Sequence, residues 1–218
     1  DRLGAADVQG FEMEGLMHTA SAVTPVLTYL FHRLEQRFDG SPTLIILDEA
    51  WVFLDDPVFA ARIREWLKTL RKRNVSVVFA TQSLADIQRS AIAPAIVESC
   101  PVRIFLPSPQ ATEPQLRPIY EGFGLNDRQI GIISRAQPRR DYYYQSRLGN
   151  RLFDLDLGPV ALAFAGASNP DHQRLMDEIL RGQGAAGFAP AWLSARGLGW
   201  AADLIHQFPL PHQQETTP

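Results

Sequence analysis

Short apolar runs separated by amphipathic segments dominate the first half of the chain. Each run ends at carboxylates, polar residues or prolines and is typical of a strand buried on both faces of a sheet; the runs cover 43–48, 75–80 and 101–106. A further strand is predicted at 8–13. Apolar residues recur at helical spacing in the segments 25–38, 57–73, 84–92 and 94–98. This alternation predicts an α/β fold with a mostly parallel sheet and helices on both of its faces.

The second half of the chain predicts smaller elements. Helices are expected near 112–121 and 126–134, strands at 141–146, 151–156 and 160–164, and further helices at 170–181 and 190–206. The first two of these strands are predicted to pair with each other and to extend the parallel sheet at one edge as antiparallel strands. We expect one domain over residues 1–206, followed by a polar, proline-bounded and disordered tail at 207–218.

Composition narrows the classes of function. A net charge of −3 argues against strong, non-specific binding of nucleic acid, which needs a broad basic surface. The single cysteine, Cys100, excludes an intrachain disulfide and a cysteine-cluster metal site. The tyrosines at 142–144 beside Arg139 and Arg140 resemble a stacking patch for nucleic acid, but strand pairing explains them more simply. Direct DNA binding therefore stays open.

Two adjacent carboxylates, Asp48 and Glu49, directly follow the apolar run that ends at Leu47. Open α/β sheets bind their ligands beyond the carboxyl ends of the strands, so both acids are expected at such an edge. There, Asp48 suits a magnesium ion held through water, and Glu49 suits polarisation of an attacking water. The simpler alternative is an acidic turn that caps the following segment.

Gln82 and a cluster of cations are the next candidates. Gln82 follows the strand at 75–80, and its amide is placed to orient a water or to contact a γ-phosphate, although it could also merely close a turn with its neighbours. Arg71 or Arg73, at the basic end of the preceding helix, could enter a neighbouring subunit's site as an arginine finger, or could belong to a solvated helix end. Arg103 and Arg117 are weaker candidates for the same role.

A phosphate loop of the Gly-Lys-Ser/Thr type is missing from these residues. Neither lysine of the sequence, Lys68 or Lys72, follows a glycine. We therefore expect a piece of a longer protein, and we do not expect this piece to turn over ATP alone.

Three motifs together resemble a known family. Residues 47–51 (LDEAW), 66–74 (WLKTLRKRN) and 80–83 (ATQS) are similar to the TrbE-type conjugal transfer ATPases, which belong with the VirB-four proteins of type IV secretion systems. Residues 10–14 and 158–164 are also similar to the C-terminal half of that family. The resemblance implies the C-terminal part of a RecA-like P-loop NTPase core that lacks its Walker A segment.

The resemblance also implies roles for single residues. Asp48 corresponds to the Walker B acid that holds Mg²⁺, Glu49 to the catalytic glutamate, and Gln82 to the sensor glutamine that contacts bound ATP. Arg71 and Arg73 fall in the family's basic motif.

At the level of the whole protein, the resemblance implies an ATP-hydrolysing energiser of conjugative transfer, type IV secretion and pilus biogenesis. Such a protein would form a ring of its own copies, such as a hexamer, and would contact other secretion components at the cytoplasmic face of the inner membrane. Two alternatives stay open. One is a RecA-like coupling motor that translocates DNA, and the other is a non-catalytic assembly module.

Overall fold

The computed structural model describes residues 6–13, 16, 19–49 and 57–208. These residues form two compact units, divided after Phe153. Parts of three sequence-predicted features lie outside the described residues: the last residue of the segment 10–14, Ala50 and Trp51 of the LDEAW motif, and the tail from 209 onwards. The assignment of 1–206 to one domain stays a prediction.

The first unit contains most of the regular structure. Its helices are α1 (Ala20–Glu35), α2 (Pro57–Thr69), α3 (Leu84–Arg89), α4 (Ala93–Ser99), α5 (Arg117–Gly122) and α6 (Asp127–Arg135), with 3₁₀ turns at Leu70–Arg73 and Pro109–Thr112. Its strands are β1 (Thr43–Leu47), β2 (Val75–Phe79), β3 (Arg103–Phe105), β4 (Asp141–Ser146) and β5 (Gly149–Asp154). The predicted segment at 8–13 has no regular secondary structure, and its Val8 side chain is 90% exposed.

The five strands form two sheets. β1 and β2 pair in parallel, from Thr43 opposite Val75 to Leu47 opposite Phe79. β3, β4 and β5 form a separate sheet in which β3 and β4 are antiparallel. The prediction of neighbouring parallel strands is thus confirmed for β1 and β2. Antiparallel pairing is also present, but it lies in a separate sheet, so the prediction that these strands extend the parallel sheet at its edge is wrong for the described strands. The prediction of a mostly parallel sheet is wrong for the described strands, because only one pair of them is parallel.

The core of this unit lies on one face of the strands. Ile45 and Leu47 are buried, whereas Leu44 and Ile46 are 61% and 64% exposed. Successive residues of a strand point to opposite faces, so the buried pair faces the helices and the exposed pair faces away from them. The prediction that this strand is buried on both faces, with helices on each side, is therefore wrong for the part of the chain that the structure describes.

Helix α2 anchors this core. Phe59, Ile63, Trp66 and Leu70 are buried at the spacing of one helical face. The Trp66 ring lies 4.6 Å from that of Phe31, centroid to centroid, and its Nε1–H donates to Glu35 Oε1 at 2.5 Å. This packing fixes the end of α2, and with it the point where β2 begins.

Asn74 makes the turn between the 3₁₀ segment and β2. Its backbone is left-handed, with φ of 59°, a conformation that asparagine tolerates better than most residues. Its Nδ2 donates to the carbonyl of Gly40 at 3.2 Å, and its own carbonyl accepts from the N–H of Thr43 at 3.1 Å. Asn74 therefore ties the starts of β1 and β2 together.

The second unit is helical, with α7 (Pro159–Ala165), α8 (Pro170–Ala195) and α9 (Gly199–Gln207). Gly184 interrupts α8 with φ of 67°. The prediction of a strand at 160–164 is wrong, because Pro159 starts a helix there and Ala163 packs into a core with Leu193, Ala201 and Ala202. Across the residues that the structure covers, no helix has the combination of length and hydrophobicity that crossing a membrane requires.

Candidate functional site

The carboxyl ends of β1 and β2 bring the predicted site residues to one edge. The two strands remain paired to their last residues, and the N–H of Ala80 still donates to the carbonyl of Leu47 at 2.9 Å. Asp48 and Glu49 leave β1 at this point, and Gln82 follows the end of β2 by three residues. Parallel strands end at the same side of a sheet, so three polar side chains from distant parts of the sequence meet there.

A direct hydrogen bond joins two of these side chains. Gln82 Nε2 donates to Glu49 Oε1 at 2.6 Å, across 33 positions of the sequence. Glu49 is half-buried, while Asp48 and Gln82 are exposed. A short bond to a charged acceptor holds the Glu49 carboxylate in one direction.

The backbone at Glu49 is unusual. Its φ of 52° is left-handed, a conformation that costs non-glycine residues about 1–2 kcal/mol. The Glu49 N–H donates to Asp48 Oδ1 at 3.0 Å, so the turn is closed by the preceding side chain. Non-glycine residues held in this region cluster at functional sites, where the surrounding structure keeps the strain in place.

The donor set at this edge fits a magnesium ion. Magnesium binds through oxygen, usually with one or two carboxylates and several waters, and Asp48 and Glu49 supply two neighbouring carboxylates close to solvent. Among the described residues there is no group of three or more His, Cys, Asp or Glu side chains that would form a closed metal site. The edge therefore suits a metal that keeps most of its waters.

The arginines predicted as finger candidates lie elsewhere in the unit. Arg71 and Arg73 are exposed in the 3₁₀ turn that precedes β2. The length of β2 separates them from Gln82, which amounts to roughly 20 Å at about 3.3 Å per residue. The structure thus places both arginines at the opposite edge of the strand pair, away from Asp48 and Glu49 of the same chain.

Two weaker candidates already have structural partners. Arg103 donates to the backbone carbonyls of Phe123, at 2.8 Å, and of Val97, which ties β3 to its neighbouring elements. Arg117 forms ion pairs with Asp127 and, at 3.1 Å, with Glu121. The hydrogen bonds from Arg117 to Asp127 and Glu121 raise the pKa of its guanidinium. These contacts explain both arginines without a catalytic role.

A polar cluster that the sequence motifs do not indicate lies near the amino ends of the strands. Glu35 accepts from Trp66 Nε1 and pairs with Arg62, whose Nη1 lies 3.4 Å from Glu35 Oε1. Together with Arg73, these residues line a shallow cavity. Local sequence patterns could not have found it, because Glu35 and Trp66 are separated by 31 positions and come together only through the packing of two helices.

Paired parallel strands that bring an acid pair and a glutamine to one edge are an arrangement found in P-loop nucleoside-triphosphatase domains. The family model for the TraG P-loop domain matches residues 15–146. The chain therefore belongs to the TraG P-loop domain family.

Curated relatives agree with this membership. The chain is 50% identical over 206 residues to the "Conjugal transfer protein TrbE" of Rhizobium radiobacter, covering 94% of this chain and 25% of the relative. It is 34% identical over 140 residues to the "Type IV secretion system protein virB4" of Bartonella quintana, covering 64% of this chain and 18% of the relative. The resemblance to TrbE-type and VirB-four proteins inferred from the sequence is confirmed. The chain spans about a quarter of the full length of this TrbE relative.

A solved structure supports the fold. The structure of VirB4 of Thermoanaerobacter pseudethanolicus matches with a TM-score of 0.51 and 20% sequence identity, covering 62% of this chain and 36% of that chain. At this identity the likeness concerns the fold alone. It agrees with a mixed α/β architecture of the P-loop NTPase type.

Proposed function

We propose that this chain carries part of the ATP-hydrolysing site of a conjugal transfer ATPase that energises type IV secretion and pilus biogenesis. The observation that carries the proposal is the 2.6 Å hydrogen bond from Gln82 to Glu49 at the carboxyl edge of β1 and β2. The proposal is also supported by 50% identity to a conjugal transfer protein. A polar turn without catalytic function would not need a left-handed glutamate held by a glutamine from the turn after a second strand.

Each residue at the edge has a proposed role. Asp48 would hold Mg²⁺ through water, and the metal would neutralise negative charge on the phosphate oxygens of ATP. Glu49 would accept a hydrogen bond from the attacking water and so orient and polarise it. Gln82 would keep the Glu49 carboxylate aimed at that water, and its amide oxygen stays available as a second acceptor.

Arg71 and Arg73 would act between subunits. Their distance from Asp48 and Glu49 prevents either of them from reaching the site of its own chain, whereas both are exposed to a neighbour. We propose a ring of copies in which one of them enters the adjacent site and neutralises charge in the transition state. The same proposal includes two properties of the ring: it contacts other secretion components, and it lies at the cytoplasmic face of the inner membrane.

Substitution of Glu49 tests the catalytic assignment. In the longer protein that contains this chain, Glu49→Gln should lower ATP turnover by about 10²–10⁴-fold, because loss of a catalytic base has effects of this size. Glu98→Gln, at an exposed position of α4, is the matched control and should keep turnover. Wild-type turnover in the Glu49→Gln protein would contradict the assignment.

Nucleotide binding separates the proposed function from the non-catalytic alternative. We expect the 218-residue chain alone to bind ATP weakly and not to hydrolyse it, because neither lysine in it follows a glycine. The longer protein should bind ATP tightly. If the longer protein also failed to bind ATP, the chain would be a non-catalytic assembly module instead.

Substitution of the arginines tests the role between subunits. The double variant Arg71→Ala, Arg73→Ala should lose about 10³-fold or more in turnover while ATP binding persists. Arg64→Ala, at an exposed position of α2, is the control for loss of positive charge. Unchanged turnover in the double variant would rule out a finger at either position.

A further inference from the structure

The turn between β2 and α3 holds Gln82 at the carboxyl edge of the strands. On the strand side of this turn, the N–H of Ala80 donates to the carbonyl of Leu47 at 2.9 Å, which ties Ala80 to β1. On its helix side, Ile87 of α3 is buried in the core of the first unit. Both ends of the turn are therefore anchored, and the backbone of residues 81–83 sets the direction in which the Gln82 side chain leaves the chain.

The Thr81 hydroxyl closes this turn. Thr81 Oγ1 accepts from the N–H of Ser83 and donates to the carbonyl of Ser83, in each case at 3.3 Å. A threonine hydroxyl that bonds the backbone two residues further on fixes a local turn. Ser83 lies at the N-cap position of α3, but its own side chain makes no capping hydrogen bond with the described residues. The hydroxyl that shapes the backbone around Gln82 is therefore that of Thr81.

Gln82 needs such support because its side chain is exposed. Packing does not hold a long, solvent-exposed side chain in one rotamer, and ordering it costs conformational entropy. Gln82 Nε2 nevertheless donates to Glu49 Oε1 at 2.6 Å. A turn that already fixes the backbone at Gln82 lowers the cost of this bond, because only the side chain remains to be ordered when the bond forms.

We propose that Thr81 is a positioning residue of the site, whose hydroxyl fixes the turn so that Gln82 holds the Glu49 carboxylate. Thr81 would act only through Gln82, without a contact of its own to ATP or to the attacking water. The expected effect on ATP turnover rests on the proposed function. The expected effect on the hydrogen bond between Gln82 and Glu49 does not, because that bond forms without nucleotide.

Nuclear magnetic resonance of the Gln82 side-chain amide tests the positioning without nucleotide. In the 218-residue chain, the Nε2 proton that is bonded to Glu49 should resonate downfield of its position in Glu49→Ala, where the acceptor is gone. The signal is identified by its absence from Gln82→Ala. Thr81→Val removes the hydroxyl but keeps a branched side chain, and it should shift this proton to its position in Glu49→Ala. Thr81→Ser keeps the hydroxyl and should give the wild-type position. A wild-type position in Thr81→Val would overturn the proposal.

Steady-state kinetics of the longer protein test the consequence for hydrolysis. Thr81→Val should lower kcat by about 10–10²-fold, because a small misplacement of a catalytic group has effects of up to this size. The KM for ATP should not change, since the loss concerns the reacting geometry and not ATP binding. Thr81→Ser should keep the wild-type kcat. Thr28→Val is the matched control, because Thr28 Oγ1 also donates to a backbone carbonyl, that of Thr24 at 2.7 Å, but does so in α1.

A double variant distinguishes positioning from a general structural role. If Thr81 acts through Gln82, Thr81→Val should not lower kcat further in a protein that already carries Gln82→Ala. A further loss as large as that in the wild-type background would overturn the proposal. An unchanged kcat in Thr81→Val beside a lowered kcat in Gln82→Ala would overturn it as well.

The two measurements together separate this inference from the proposed function. If Gln82→Ala kept the wild-type kcat while Thr81→Val lost the downfield proton, the role proposed for Gln82 in hydrolysis would fail and its positioning by Thr81 would stand. If Gln82→Ala lowered kcat while the downfield proton persisted in Thr81→Val, the proposed function would stand and the positioning role of Thr81 would fail.

Discussion

The left-handed backbone of Glu49 allows a sharp prediction about stability. Replacing Glu49 by alanine or by glycine removes the carboxylate and its bond to Gln82 in both cases. The two variants differ only in the Cβ atom, which a backbone with φ of 52° disfavours. Comparing them isolates the conformational strain from the lost hydrogen bond.

The expected difference follows from two opposing terms. Glycine avoids about 1–2 kcal/mol of left-handed strain in the folded chain, but it loses about 0.4–1 kcal/mol because its unfolded state is more flexible. We therefore expect Glu49→Gly to be more stable than Glu49→Ala by about 0.5–1 kcal/mol. With a urea dependence of about 2 kcal/mol per molar, the unfolding midpoint should differ by about 0.3–0.5 M.

Urea unfolding of the two variants, followed by circular dichroism, measures this difference. The control pair is Arg64→Gly and Arg64→Ala in helix α2, where glycine should be the less stable residue by about 1 kcal/mol. The sign must therefore reverse between the two positions. If alanine were the more stable residue at both positions, the backbone at Glu49 would not be strained as described. In the longer protein, both Glu49 variants should lose ATP turnover, which would separate stability from activity at this residue.

Three further predictions concern the first unit. Trp66→Ala should lower the free energy of unfolding by about 3–5 kcal/mol, because it leaves a cavity in the core and removes the hydrogen bond to Glu35. Urea titration measures this loss, and a loss below about 1 kcal/mol would contradict the packing of Trp66. Asn126→Ala should lower the free energy of unfolding by about 1 kcal/mol in the same titration, since Asn126 and Gln129 form a reciprocal capping box at the start of α6. An unchanged urea midpoint would argue against that cap. Burial raises the pKa of the Cys100 thiol, so less of it is thiolate at pH 8. Iodoacetamide should therefore alkylate it more slowly in the folded than in the urea-unfolded chain, and equal rates would refute its burial.

Much of the candidate site could be predicted from short stretches of sequence. The apolar run before Asp48 and the run before Gln82 each specify a strand, and parallel strands with helical connections end at one edge. That rule is enough to bring Glu49 and Gln82 close together. It does not specify the 2.6 Å bond between their side chains, which depends on the local path of two separate turns.

Some predictions failed because a strand requires a partner. Residues 8–13 have strand-like composition but no regular structure in this chain, and the residues at 160–164 form a helix because Pro159 starts it and Ala163 packs against other small side chains. Intrinsic preference for the extended conformation is weak, and packing against neighbours decides the outcome. No pattern within either segment states whether such a neighbour is present.

The sequence alone determined where the principal strands and helices lie, which residues are candidates for the site and which family the chain resembles, because periodicity and motifs are local properties. Only the tertiary structure decided that Leu44 and Ile46 are open on one side, that Arg71 and Arg73 lie at the far edge from Asp48, and that Glu49 adopts a left-handed backbone. These features depend on which elements pack together. The sequence of an apolar strand does not show whether one of its faces is covered or both are, because burial depends on the elements that pack against the strand.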